Sequence, residues 1–191
     1  MIWDLPRDVE INGSTFNIRT DYRDILKIIK ELNNPDKEPW YNIRMAFAMF
    51  YEDYEAIKDC DYERAVEEML KFINCGELEE GNENEKPPQR IDWEQDGLLI
   101  VSDINKVIHD DVRALEYMHW WSFIAAFSGI GEGQLSAVVS LREKKRKGEK
   151  LTKSEEEFYR ENKSRVDLER HYSAEEQAER NRINRMLNGE F

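Results

Sequence analysis

The sequence predicts a mainly α fold: a helical single domain with an N-terminal β-hairpin. Three observations carry this. An Asn12-Gly13 pair separates two short segments of alternating polarity. From Asp21 onward, apolar residues recur at three- and four-residue intervals, the period of a helix face. Capping residues and breakers punctuate that period about one helix length apart. Residues 1–170 read as the helical domain, and residues 171–191 as a charged C-terminal helix or tail.

The elements follow in order. Val9 and Ile11 alternate with polar neighbours, and so do Phe16 and Ile18. Asn-Gly accepts the positive φ angles of a two-residue turn, so strands flank it. A lone hairpin is marginal in water, so this one must pack on other elements or extend a neighbour's sheet. Asp21 is a candidate N-cap for a first helix with Tyr22, Ile25, Leu26, Ile29 and Leu32 inward, ended by Asn33-Asn34-Pro35. Pro39 suits the first turn of a second helix carrying Trp40, Ile43, Phe47, Phe50 and Tyr51. Asp61 opens a third, with Ala65, Met69, Phe72 and Ile73 on one face, and Cys75-Gly76 closes it. Residues 76–90 are polar and acidic with two prolines, and read as a mobile loop inside the domain.

A fourth helix is expected from Trp93 to Ile108, with Leu98, Val101, Ile104 and Ile108 inward. A fifth runs from about Val112 to Phe127 and contains Tyr117-Met118-His119-Trp120-Trp121-Ser122-Phe123, a stretch almost without charge. Adjacent helical residues point about 100° apart, so burying both tryptophans requires packing on more than one side. The stretch from Ser128 to Gly133 breaks it. A sixth helix carries Leu135, Val138 and Val139, then runs into the basic series Arg142 to Lys147 before Gly148. Thr152 with Glu155, and Ser173 with Glu176, have capping-box spacing for two more helices. The last has few apolar residues, chiefly Ile183, Met186 and Leu187.

The formal net charge is −13, from 41 acidic and 28 basic side chains. Such a surface repels nucleic acid and anionic membranes as a whole. No apolar stretch approaches the roughly 20 residues that span a bilayer. The first eight residues lack a basic segment followed by an apolar run, so a cytoplasmic protein is expected. Cys60 and Cys75 are neither a disulfide framework nor a metal-spaced set.

No catalytic pattern emerges. Gly129-Ile130-Gly131-Glu132-Gly133 lacks the preceding strand that a dinucleotide loop needs, and reads as a turn between helices. His109-Asp110-Asp111 lacks further ligands at one-turn spacing, so no metal is expected. Nothing pairs His119 with a nucleophile. We therefore expect a noncatalytic protein without cofactors. The tryptophan pair serves as core, as an interface anchor, or as both. The basic series is a solvated helix end or a patch for an acidic protein partner. The candidate contact residues are Trp120, Trp121 and Phe123, with Arg142, Lys145 and Arg146 as a secondary electrostatic patch.

Several segments also carry a family resemblance. They are Asp8-Val9-Glu10-Ile11-Asn12-Gly13 with Thr20-Asp21-Tyr22-Arg23, Asp92-Trp93-Glu94-Gln95-Asp96, His119-Trp120-Trp121-Ser122-Phe123, and Leu141-Arg142 followed by Lys150 to Lys163. In that order they resemble the bacteriophage "gene product fifteen" family of long-tailed phages and prophages, over roughly residues 4–168. The resemblance implies a tail assembly chaperone acting in the host bacterial cytoplasm. Its implied partner is the phage tape measure protein, with the tail tube protein and other copies of the chain as further candidates. No catalytic residue comes with the family. The rival expectations are a structural virion part, such as a head–tail connector or tail completion protein, and a DNA-binding regulator.

Overall fold

β1 (Asp8–Ile11) and β2 (Ser14–Asn17) pair antiparallel in the computed structural model, which describes residues 4–76, 89–169 and 172–187. Val9 faces Phe16 and Ile11 faces Ser14 across the hairpin. Asn12 and Gly13 carry φ angles of 48° and 83°, the two positive values of a type I′ turn. The rest of the described chain is helical apart from its connections, so the fold is mainly α with an N-terminal hairpin, as its periodicity predicts.

The chain packs as two compact units. One draws on Arg7–Arg19, Arg23–Met69 and the described residues after 170. It holds the hairpin, most of α1 (Tyr22–Leu32), α2 (Pro39–Phe50), most of α3 (Tyr62–Ile73) and, at the end of the chain, Ala174–Leu187. Tyr51 organises it. Its ring meets Phe16, Phe47 and Phe50, and its hydroxyl donates to the Ala65 carbonyl at 2.8 Å. Burial pushes that phenol well above its ordinary pKa. Backbone bonds from Arg19 N–H to Phe50 O and from Glu52 N–H to Asn17 O tie the hairpin's exit to the end of α2. This is the packing that a marginal hairpin requires.

The α2 face differs from the expected one. Asn42, Ala46, Phe47 and Phe50 are buried, whereas Trp40 is 63% exposed. A hydropathy pattern passes over Asn42, yet its amide NH2 donates to the Asn34 carbonyl at 2.7 Å, which offsets part of its burial, while its Oδ1 meets no donor among the described residues.

The other unit draws on the described residues up to Pro6, Thr20–Tyr22 and Leu70–Glu169. It holds α4 (Gly97–Ile108), α5 (Trp120–Ser128), α6 (Gln134–Lys147), α7 (Lys153–Glu161) and α8 (Lys163–Val166). Its core contains Ile100, Ile104, Val112, Trp120, Phe123, Leu135, Val138, Leu141 and Val166. Two starts differ from expectation. α4 begins at Gly97, because Asp92 Oδ1 accepts the N–H groups of Glu94 and Gln95 and makes a turn of the preceding residues. α5 begins at Trp120 instead of Val112, for a reason given below. The α4 face is rotated as well: Ile100, Asp103 and Ile104 are buried, and Leu98 is 79% exposed.

The stops and caps follow the sequence. Gly148 ends α6 in the left-handed region at φ 69°. Thr152 and Glu155 exchange both bonds of a capping box at the start of α7. Ser173 and Glu176 do the same before Ala174–Leu187, which we label α9. Of the expected acidic loop, residues 77–88 lie outside the described residues, as do the side chains of Ile183, Met186 and Leu187. Among the described residues, no helix is long and apolar enough to cross a membrane.

Gly13 gives a clean test of the hairpin turn. A Cβ there would meet nothing within 4 Å, so only the positive φ opposes a side chain. Gly13→Ala is expected to cost about 1 kcal/mol in urea unfolding, from the left-handed penalty alone.

Candidate functional site

The tryptophan run is built from its backbone upward. Tyr22 N–H donates to Met118 O at 3.0 Å, and Trp120 N–H donates to Thr20 O at 2.7 Å. Asp21 and His119 form an antiparallel bridge between these bonds. Residues 118–119 are therefore held extended against 20–22, and the helix starts only after them. His119 caps it: Nδ1 accepts the Trp121 N–H at 3.1 Å, while Nε2 meets the Pro6 carbonyl at 2.9 Å. An accepting Nδ1 and a carbonyl at Nε2 suit the neutral Nε2–H tautomer.

The two indoles turn toward one helix end. Trp120 Nε1 donates to the Ile73 carbonyl at 2.8 Å, and Trp121 Nε1 to the Phe72 carbonyl at 2.9 Å. The last carbonyls of a helix have no partner within it; Trp120 supplies a donor to the Ile73 carbonyl, and Trp121 adds a second donor to the Phe72 carbonyl, which also accepts the Cys75 N–H at 3.0 Å. Cys75 and Gly76, with positive φ, turn the chain away there, and Gly76 N–H bonds Lys71 O at 2.8 Å. Trp120 stacks on Phe123, and Phe123 stacks on Tyr22 at 4.5 Å with the rings 3° from parallel. Trp93 meets Trp120, Phe123 and Phe127. Trp120 and Phe123 are each 2% exposed, so the structure places these two candidate contacts in the core. Trp121 is half-buried against Phe72.

The basic series divides in the same way. Arg142 is interior, and all five of its N–H positions are used. Nη1 and Nη2 grip the Asp96 carboxylate at 2.6 and 2.8 Å. Nε and the remaining Nη positions reach the carbonyls of Val166, Arg90 and Arg165. Arg142 is thus a buried strut in this structure, not part of a surface patch. The other cations stand outside. Lys144 pairs with Glu155 at 2.6 Å. Lys145 pairs with Asp167 and lies 3.7 Å above the Tyr159 ring. Arg146 grips Glu143 at 2.6 and 3.2 Å. The Arg146 hydrogen bonds hold the Glu143 carboxyl down at about 2, and the Lys144 bond does the same for Glu155. Lys145 and Arg146 line a groove of about 190 Å³, together with Arg90, Glu143, Val166 and Leu168.

Two acids that periodicity passes over hold the frame. Asp96 receives Arg142 and the Asp92 N–H. Asp103, buried on α4, accepts the Leu135 N–H at 3.2 Å and the Lys106 ammonium at 2.6 Å. It sets a carboxylate at the positive end of α6. Gly133 must lack a side chain here, because a Cβ would stand 2.8 Å from Asp103 Oδ2. Asp96 stands in the sequence only as part of the Asp92-Trp93-Glu94-Gln95-Asp96 segment of the family resemblance, and Asp103 only as a lone carboxylate within an apolar helix.

On α4, Ile100 and Ile104 pack inward and Val107 stands near their side at 38% exposure, while Leu98 projects from the opposite side at 79%. Among the described residues, no group of three or more His, Cys, Asp or Glu is placed to hold a metal ion. The family described as Bacteriophage Gp15 protein matches this chain over residues 1–168. No curated protein and no solved structure matches it.

Two outcomes follow from these geometries. Arg142→Met leaves the 1%-exposed Asp96 carboxylate buried without its cation, and should cost about 3–5 kcal/mol in urea unfolding. Adding Asp96→Leu should recover much of that loss. Separately, Glu155 should titrate by NMR near 2, and Lys144→Ala should move it up toward the ordinary carboxylate range. The depressed value means that this contact supports the fold at neutral pH and is lost as pH falls from the ordinary carboxylate range toward 2.

Proposed function

The chain belongs to the Bacteriophage Gp15 protein family, and on that premise we propose that it is a noncatalytic tail assembly chaperone. In this reading it binds the tape measure protein in the host bacterial cytoplasm and keeps that long helical chain soluble until tube subunits enclose it. The observation that carries the reading is the family match over residues 1–168. The physics supports it. A chaperone of an amphipathic helix needs an apolar helix face in the open and a charged exterior. On α4, Leu98 supplies one exposed aliphatic contact toward the first, and a net charge of −13 supplies the second.

The contact surface differs from the one read from sequence. Trp120 and Phe123 are interior and set the shape of the unit, and Trp121 is tied to the end of α3. Leu98 is the better anchor, because it is a large aliphatic side chain with most of its surface in water. The basic series does little for the regulator reading, since Arg142, Lys144 and Lys145 each have a carboxylate of their own, and Arg146 and Lys147 share Glu143. Few charges are left there for phosphates.

Co-expression with the tape measure protein of the same phage tests the proposal. The wild-type chain should raise the soluble fraction of that client severalfold. Leu98→Ser should lower it while leaving the far-UV circular dichroism unchanged. A wild-type chain that leaves the client insoluble would remove the chaperone reading. Mass spectrometry of purified virions then addresses the rival: a structural virion part stays in the particle at stoichiometric copy number, and a chaperone does not.

A further inference from the structure

We propose that the groove beside the end of α6 is a second binding site, for a short acidic peptide segment of a protein partner. The inference goes beyond the client reading and does not depend on which tail protein α4 meets.

The argument starts from an imbalance at one carboxylate. Arg146 grips Glu143 at 2.6 Å, Lys147 stands 3.3 Å from it, and Arg90 Nε stands 3.6 Å from it. Among the described residues, three cations share this one carboxylate, a surplus of two positive charges, with Arg90 and Arg146 lining the groove and Lys147 next to its Glu143. Elsewhere along α6 the pairs match one to one: Arg142 with Asp96, Lys144 with Glu155, and Lys145 with Asp167. The surplus is therefore local. It is also accessible, because the Arg90, Arg146 and Lys147 side chains are each about half exposed. Beside it the groove presents the half-buried Leu168 over the core residue Val166, so a bound segment meets a cationic rim and an aliphatic side chain.

This combination selects its occupant. Guanidinium groups recognise carboxylates through paired hydrogen bonds. Arg146 already does so with Glu143, which occupies the place that a partner's carboxylate would take. A segment with two closely spaced acids and one aliphatic residue matches both charges and the aliphatic side chain. Nucleic acid fits less well, because it gains affinity by neutralising many phosphates, and the surplus is two charges on a chain of net −13. A carboxylate pair needs only the two.

Fluorescence anisotropy with a short labelled peptide of alternating Glu and Leu tests this on the full chain. Binding should weaken as ionic strength rises, since about 10 Å is the screening length at 0.1 M. Arg146→Gln should weaken it. Glu143→Gln is the decisive variant: it removes the internal competitor and should tighten peptide binding about two- to fivefold. A role for Glu143 in folding alone predicts no tightening, and circular dichroism checks that both variants fold. The proposal is overturned if Glu143→Gln leaves binding unchanged or weaker. It is also overturned if a single-stranded oligodeoxynucleotide of equal net charge binds at least as tightly as the peptide.

Discussion

One guanidinium holds the α4–α8 unit in register. Arg142 reaches from the middle of α6 to the residues before α4, through Asp96 and the Arg90 carbonyl, and to α8, through the carbonyls of Arg165 and Val166. A buried ion pair holds only when geometry and further hydrogen bonds compensate for desolvation. Here that condition is met on both sides, with five donors on Arg142 spent and Asp96 also accepting the Asp92 N–H. Gln95 adds bonds to Ser164 O and Asp167 O. The groove wall at Val166, the turn before α4 and the end of α6 all rest on this one arrangement.

What the sequence disclosed was local. The hairpin turn, the starts of α1 and α2, the glycine that ends α6 and both capping boxes depend on residues within a few positions of one another. What it hid was nonlocal. α5 starts at Trp120 because the preceding residues pair with Thr20 and Tyr22, about a hundred positions away. The α4 face was misread because Leu98 is as apolar as Ile100 and a lone Asp103 reads as solvent-facing; the burial of Asp103 and its bond to Leu135 decide. Arg142 looked like one more cation in a basic series until its neighbours came from three other parts of the chain.

The candidate site shows the same division. The aromatic density around Trp120 was legible as a packing centre, and it is one. The choice of which apolar residues stay in water was not legible, because Leu98 and Ile100 are equally hydrophobic in sequence. Membership of a phage family and the absence of a catalytic pattern in the sequence both direct attention to surfaces. Two exposed features of this unit are chemically unlike: a leucine on α4, and a groove end with surplus positive charge.

The tryptophan pair has a consequence for what these positions tolerate. Each indole fills space and donates one hydrogen bond to a terminal carbonyl of α3. Phenylalanine would supply most of the volume and no donor, and tyrosine would carry its hydroxyl on a different vector. A buried acceptor left alone costs about 1–3 kcal/mol. Position 120 is therefore constrained by a chemical group and not by size or oiliness alone, whereas the carbonyl that Trp121 meets keeps the Cys75 N–H. Among the natural side chains, only one offers a ring of that bulk with an N–H at its edge, so drift at position 120 is closed off even to its nearest aromatic neighbours.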